Sequence, residues 1–254
     1  MSNSVTKQES HASVFGSPGA RVRLRGLLRV VWPLFCVIAV AGYLVRAALP
    51  APELSRTVTG FLFLLLAVIL AALVNASRMR LNAFIKGARG EESVAGKLSF
   101  LPSTFTVFHG LPSMGRGMLA EGGRDLDHVV VGPSGLFVIE TKNWDGKITT
   151  EDGLILYNGE EPGRQPVEQV KAAASRLRSR LKDASDIDVD VHPVVCFVNN
   201  SLQGGQQGIT GVVVCNSEEL NNVLTEIFDS PLDDEKQNRI SSALKEWIQG
   251  NKNA

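Results

Sequence analysis

The feature that most constrains this chain is a run of 21 consecutive uncharged residues, 57–77, at whose centre stands Gly60-Phe-Leu-Phe-Leu-Leu-Leu-Ala-Val-Ile-Leu70. As a helix rising about 1.5 Å per residue, such a run covers the apolar interior of a bilayer, about 30 Å thick. The helix of a soluble core seldom extends so far without one charge, because its outer face meets water. A weaker stretch precedes it, for residues 30–45 carry no charge but include Pro33. It spans a bilayer if Arg29 and Arg46 extend their charged heads to the two interfaces. The other reading of this stretch is the apolar part of a cleaved leader, since Arg21, Arg23, Arg25 and Arg29 come before it. Its length and the second apolar run close behind favour a span. The expectation is a transmembrane hairpin over 28–77, with helices at about 28–49 and 57–77 and the lipid bilayer as partner.

Charge gives the orientation. The chain balances 26 bases against 26 acids, but residues 1–90 carry eleven Lys/Arg and only two acids, Glu9 and Glu53, a net +9. Residues 91–254 carry the complement, a net −9. Arg21, Arg23, Arg25 and Arg29 lie before the first stretch, and Arg78, Arg80, Lys86 and Arg89 after the second. The loop between, 49–56, holds one base and one acid. Bases are retained on the cytoplasmic side, so both termini and the remainder of the chain are expected there. Residues 1–27 form a basic tail poor in apolar side chains, expected to be disordered. Cys36, Cys196 and Cys215 are widely spaced and form no C-x-x-C pair, which argues against a disulfide scaffold or a zinc ribbon.

Residues 78–254 read as a cytoplasmic α/β domain. The pattern over 77–100 is helical and stops before Pro102, and 104–109 alternates like a strand. Two stronger strands, 125–131 and 136–142, flank Gly132-Pro133-Ser134-Gly135, a tetrapeptide that implies a hairpin. A short hairpin is expected around Glu151-Asp152-Gly153, and a helix over 166–181 with Pro166 in its first turn. Strands at 194–198 and 211–215, a helix capped by Ser217 and reaching Phe228, and a last helix over 233–249 complete one mixed sheet with helices packed on it. Gly204-Gly205-Gln-Gln-Gly208 lacks the Lys and Ser/Thr of a phosphate loop and reads as a flexible turn.

The hairpin fixes a constellation. If Val131 pairs with Leu136, then Asp127 faces Glu140, and directly paired side chains share a face with Cβ atoms about 4.5–5.5 Å apart. Lys142 points to the same face and lies opposite Asp125. Leu126, His128, Val130, Phe137 and Ile139 take the other face and read as core. Two carboxylates so placed suit a hard divalent cation such as Mg²⁺ or Mn²⁺, with phosphate and water as further ligands. The same spacing also suits a cross-strand lattice of ion pairs on a solvated sheet, and spacing alone leaves both open. His128 reads as a core or hydrogen-bonded histidine, while His109 and His192 have no partner at ligand spacing.

The wording of the sequence goes further than its spacing. Gly90-Glu91, then Asp125-Leu-Asp-His-Val-Val-Val-Gly-Pro-Ser-Gly-Leu-Phe-Val-Ile-Glu-Thr-Lys-Asn-Trp144 with Gly146, then Gln165-Pro166-Val-Glu-Gln169, resemble the nuclease-related domain (NERD) family over about 86–198. The resemblance implies a restriction-endonuclease-like fold with an α-β-β-β-α-β core and a metal-dependent phosphodiesterase site. By motif position it makes Asp127 and Glu140 the metal-binding acids and Lys142 the catalytic lysine. Glu91 matches the helical acid that completes the site, and Gln169 the glutamine on the helix after the hairpins. One departure is Gln165, where an asparagine commonly precedes the proline. The resemblance also implies a bacterial origin, hence a multi-pass protein of the inner membrane.

These readings converge on a membrane-anchored, Mg²⁺-dependent nuclease or related phosphodiesterase acting on DNA or RNA at the cytoplasmic face. Two rivals stay open: a catalytically silent nucleic-acid-binding module, and a membrane scaffold whose soluble domain is an interaction surface. Lys171, Arg176, Arg178, Arg180 and Lys182 load one helix with bases, as a nucleic-acid edge or as a solvated face. The −9 charge of the domain counts against strong non-specific binding to DNA, in which phosphate contacts dominate.

Overall fold

The computed structural model describes residues 11–18, 32, 35–43, 45, 56–112, 125–199, 201–226 and 230–250. It divides into two compact units, Ala20–Ala88 on one hand and Met1–Gly19 with Arg89–Ala254 on the other.

In the first unit, residues 35–43 are helical. The rest of the first expected span, at 28–31, 33, 34, 44 and 46–49, lies outside the described residues. The second apolar run enters helix α1, Arg56–Leu98. Among the described residues this is the helix long and apolar enough to cross a membrane, over Leu64–Leu98 with a mean hydropathy of 1.8 in its most apolar window. In its apolar first half, side chains are exposed, Phe61 by 65% and Leu64 by 63%. The helix runs on from the apolar run through the bases Arg78 and Arg80 to Leu98, so the helical pattern expected over 77–100 continues it. Nothing in the stretch breaks it, for no proline lies within it and Gly87, Gly90 and Gly96 lower helix propensity without ending it.

The second unit is a seven-stranded mixed sheet. Its strands are β1 (Ser13–Gly16), β2 (Thr106–Leu111), β3 (Leu126–Gly132), β4 (Gly135–Lys142), β7 (Val191–Phe197), β8 (Gln207–Ile209) and β9 (Val212–Asn216), in the spatial order β1-β2-β3-β4-β7-β9-β8. Strands β5 (Ile148–Glu151) and β6 (Leu154–Tyr157) form a separate hairpin, closed by Asp152 and Gly153 at φ 49° and 78°. Two positive φ values belong to the turn that matches the twist of paired strands. Helices α2 (Pro166–Ser185), α3 (Leu220–Thr225) and α4 (Asp234–Gly250) complete the unit. Chain order therefore gives α1, β2, β3, β4, α2, β7, the α-β-β-β-α-β succession expected, with the β5–β6 hairpin inserted.

Alternation along the strands assigns the two faces. Val129, Val131, Leu136, Val138, Val195 and Phe197 pack with Val170, Leu177 and Leu181 of α2 and with Ile240 and Leu244 of α4. Val107, Val130, Phe137, Ile139, Val194 and Cys196 pack with Val94 and Leu98 of α1 and with Leu220 and Val223 of α3. Both faces are thus covered, which is why β3 and β4 read as near-continuous apolar runs. Leu126 departs from its expected face, joining Leu111 in the first cluster. Between the two paired strands there, Gly110 adopts φ 59°, which interrupts the regular pleat of β2. Pro193 tolerates its central strand because β7 pairs with β9 only from Val194 onward.

Three local expectations change. Ser13–Gly16, within the tail expected to be disordered, is strand β1, paired in parallel with β2. Ser217 does not cap a helix; its hydroxyl donates to the Val198 carbonyl, and α3 begins only at Leu220. The expected flexible turn holds Gly204 and Gly205 at positive φ but delivers Gln207 and Gly208 into β8.

Candidate active site

The β3–β4 hairpin has the register that its sequence implies. Val131 pairs with Leu136 and His128 with Ile139, so the next positions outward are Asp127 and Glu140. The turn is tighter than a four-residue loop, since Gly132 and Gly135 pair with each other and only Pro133 and Ser134 lie between. The register is the same either way.

Beyond the covered part of the sheet the side chains converge. The Thr141 backbone N–H donates to Asp127 Oδ2 at 2.8 Å. Lys142 Nζ donates to Glu140 Oε1 at 2.6 Å and to Gln169 Oε1 on α2 at 2.9 Å. Gln169 is itself oriented by its Nε2, which donates to the Arg164 carbonyl at 3.2 Å. Lys142 and Glu140 keep only 12% and 13% of their side-chain surface, so this is not a surface ion pair. Glu91 is buried near the end of α1. Close packing brings α1 there: a Cβ on Gly90 would lie 2.7 Å from the Cβ of Asn143.

Electrostatics tie the acids together. Asp127 is pushed well above the usual carboxylate range by burial first, then by Glu140 and Glu91, against the opposing pull of the Thr141 N–H and Lys142. Glu140 and Glu91 thus each disfavour ionisation of Asp127 in a partly desolvated site. The donors are hard oxygens, the kind preferred by Mg²⁺ and Mn²⁺. Among the described residues no three His, Cys, Asp or Glu side chains stand as a ready-made metal cage. Magnesium seldom uses one, binding instead through one or two carboxylates with water and substrate phosphate. The Asp127–Glu140 pair fits that pattern.

The five residues expected to form the site, Glu91, Asp127, Glu140, Lys142 and Gln169, thus meet at one end of the sheet. Four of the five bases on the basic helix, all but Arg176, have partners among the described residues. Arg178 binds Asp188 and Asp190, at 3.1 and 2.8 Å, and Lys182 reaches Asp188 at 3.5 Å. Lys171 donates to Thr210, and the Arg180 guanidinium lies 5.7 Å from the ring centre of Trp247. Trp144 packs against Tyr157 and Phe197 rather than standing out as a stacking platform. Beside it Asn199 Nδ2 donates to Asn143 Oδ1 and Asp145 Oδ1, a polar cluster that no sequence spacing announced.

A buried histidine pair was also missed. His109 Nδ1 and His128 Nδ1 lie 2.7 Å apart, directly paired across β2 and β3. No sequence signal fixes it, since the long connection between Leu111 and Leu126 sets no register between β2 and β3. Burial lowers His109 to about 4, and burial with the neighbouring ring lowers His128 well below the ordinary value. A histidine held neutral when folded contributes stability above about pH 6.5 that is lost as pH falls toward 4. For His109 the loss amounts to about 3 kcal/mol by pH 4. The raised Asp127 acts with opposite sign, so the comparison must be internal. The thermal midpoint of the purified chain should fall from pH 7 to pH 4.5 less steeply in His109→Asn than in wild type. Equal slopes would refute the assignment.

Comparison with known proteins bears on the same part of the chain. The family model described as "Nuclease-related domain" (NERD) matches residues 86–198, and the restriction-endonuclease-like superfamily is the general kind to which it belongs. A Streptomyces coelicolor protein named as the probable kinase PglW is 32% identical over 84 residues, 32% of this chain and 5% of that protein. The chain therefore spans a small fraction of that relative. No solved structure matches.

Proposed function

We infer, from the nuclease-related domain that residues 86–198 constitute, that the chain is a membrane-anchored phosphodiesterase cleaving nucleic acid with the help of Mg²⁺ or Mn²⁺. The observation that carries this reading is the meeting of Asp127, Glu140 and Lys142 at the end of one hairpin, with Gln169 holding the lysine. Asp127 and Glu140 would hold the cation. The protein's own donors engage Oδ2 of Asp127 and Oε1 of Glu140, which holds both carboxylates in orientation. A bound divalent ion supplies a water of lowered pKa and draws charge from the phosphorus.

The remaining roles belong to the chain. Lys142, fixed by two acceptors, keeps its ammonium aimed at the phosphate that enters, where it stabilises the charge developing on the oxygens in the transition state. Gln169 sets that aim without carrying charge. Glu91 enlarges the negative field that draws in the cation. The covered faces of the sheet exclude water around the hairpin, which strengthens each of these interactions.

Anchoring belongs to the same proposal. The exposed apolar surface of α1 and the bases on both sides of the two apolar stretches support a two-helix hairpin with both termini at the cytoplasmic face. The test of the function is cleavage of single-stranded DNA, duplex DNA and RNA by the purified full chain with Mg²⁺ or Mn²⁺ and with chelator. Metal-dependent cleavage of any of the three supports it. Binding without cleavage would leave a silent binding module, and neither would leave a scaffold.

A further inference from the structure

Strand β1 bears on a matter that apolar content cannot decide, which is how many times residues 17–88 cross the bilayer. We propose that Ser13–Gly16 is a strap that returns the N-terminal segment to the soluble domain, so that the chain between them crosses an even number of times and a second crossing precedes α1. The proposal rests on the reading of the chain as membrane-anchored.

The strap is specifically seated. Ser13, Val14, Phe15 and Gly16 pair in parallel with Thr106, Val107, Phe108 and His109. Ala12 N–H donates to the Leu101 carbonyl at 3.0 Å and Ser13 N–H to that of Phe105 at 3.2 Å. The Phe15 ring stacks on Phe108, with centroids 5.4 Å apart, and the Lys245 ammonium of α4 lies 4.6 Å from the centre of the Phe15 ring. Gly16, at φ 90°, leaves no room for a side chain, because a Cβ there would lie 2.1 Å from the His109 carbonyl oxygen. These contacts hold residues 11–16 in the unit that also contains residues 89 onward.

The consequence is one of parity. Both ends of the intervening segment belong to one folded body, and a folded body occupies one side of a membrane. If 57–77 crosses once, another crossing must lie between residues 17 and 56. The uncharged stretch there is 30–45, of which 35–43 are helical. Sheet pairing thus accounts for the insertion of a stretch that is short and contains a proline. It also shields the edge of β2, whose unpaired backbone groups would otherwise invite a second chain.

The experiment uses the full chain in native membranes, with Cys36 replaced by Ser. Ser13→Cys with Thr106→Cys places two thiols on directly paired residues, and mild oxidation should join them within one chain. Ser55→Cys should react with an impermeant maleimide added to intact spheroplasts, and Ser4→Cys only after permeabilisation. Gly16→Val should lower the cross-link at least tenfold while the chain stays in the carbonate-resistant pellet. Labelling of Ser4→Cys from outside, failure of the cross-link, or an anchored chain whose Ser55→Cys is unreactive from outside would overturn the strap. A chain released into the carbonate supernatant overturns the anchoring reading itself, and is recognised as such because the cross-link then persists.

Discussion

Replacing Lys142 or Asp127 by Ala should lower metal-dependent cleavage by about three orders of magnitude or more, the range expected when a positioned ammonium or a principal ligand is removed. Loss of folding is the obvious confounder, and Asp127→Asn separates it. The amide keeps an oxygen to accept the Thr141 N–H while removing a charge that burial, Glu140 and Glu91 all disfavour. The variant should therefore be inactive yet melt higher than wild type in the absence of metal. Adding Mg²⁺ at a hundredfold excess over its dissociation constant should stabilise wild type by about 2.7 kcal/mol and leave Asp127→Asn nearly unmoved. An inactive variant that melts lower without metal and is still stabilised by Mg²⁺ would show that Asp127 serves the fold and not the ion.

Charging the apolar stretch of α1 should have the other large effect. Leu65, Val68 and Ala72 are exposed on a helix whose 18-residue apolar window contains at most two charges. Each arginine near the middle of a span costs about 2.5–3.5 kcal/mol in insertion. Leu65→Arg, Val68→Arg and Ala72→Arg together should shift the chain from the carbonate-resistant membrane fraction to the soluble or degraded one. The same three replacements should not alter the pairing of Asp127, Glu140 and Lys142, which lies in the other unit. Full retention of the triple variant in the pellet would show that α1 does not hold the chain in the bilayer.

What could be read from the sequence was local. The β3–β4 register follows from Gly132-Pro133-Ser134-Gly135 because a tight turn fixes which residues face each other, and from it the meeting of Asp127 and Glu140 follows. The insertion of Gln169 beside Lys142 needed the family resemblance, since the two are 27 positions apart on different elements. Strand β1 was missed for a physical reason: four residues among polar neighbours carry little periodic signal, and their partner is 93 positions away. The apolar run 57–77 and the helical pattern over 77–100 join into one helix, because charged side chains at Arg78 and Arg80 do not interrupt backbone hydrogen bonding. The bases of α2 left a nucleic-acid edge and a solvated face both open, and Arg178 and Lys182 pair with Asp188 and Asp190, which lie beyond the helix and outside its pattern.

The pairing of Ser13 with Thr106 sets a timetable for biogenesis. The earliest-made element of the sheet emerges from the ribosome with nothing to join, and waits while 93 further residues are added. At about 5–20 residues per second that interval is of the order of 5–20 seconds. Throughout it, a short apolar segment with open backbone groups is available to chaperones, to proteases and to neighbouring nascent chains. The first-translated strand therefore depends on a partner made well after it, and its pairing can begin only once β2 has emerged.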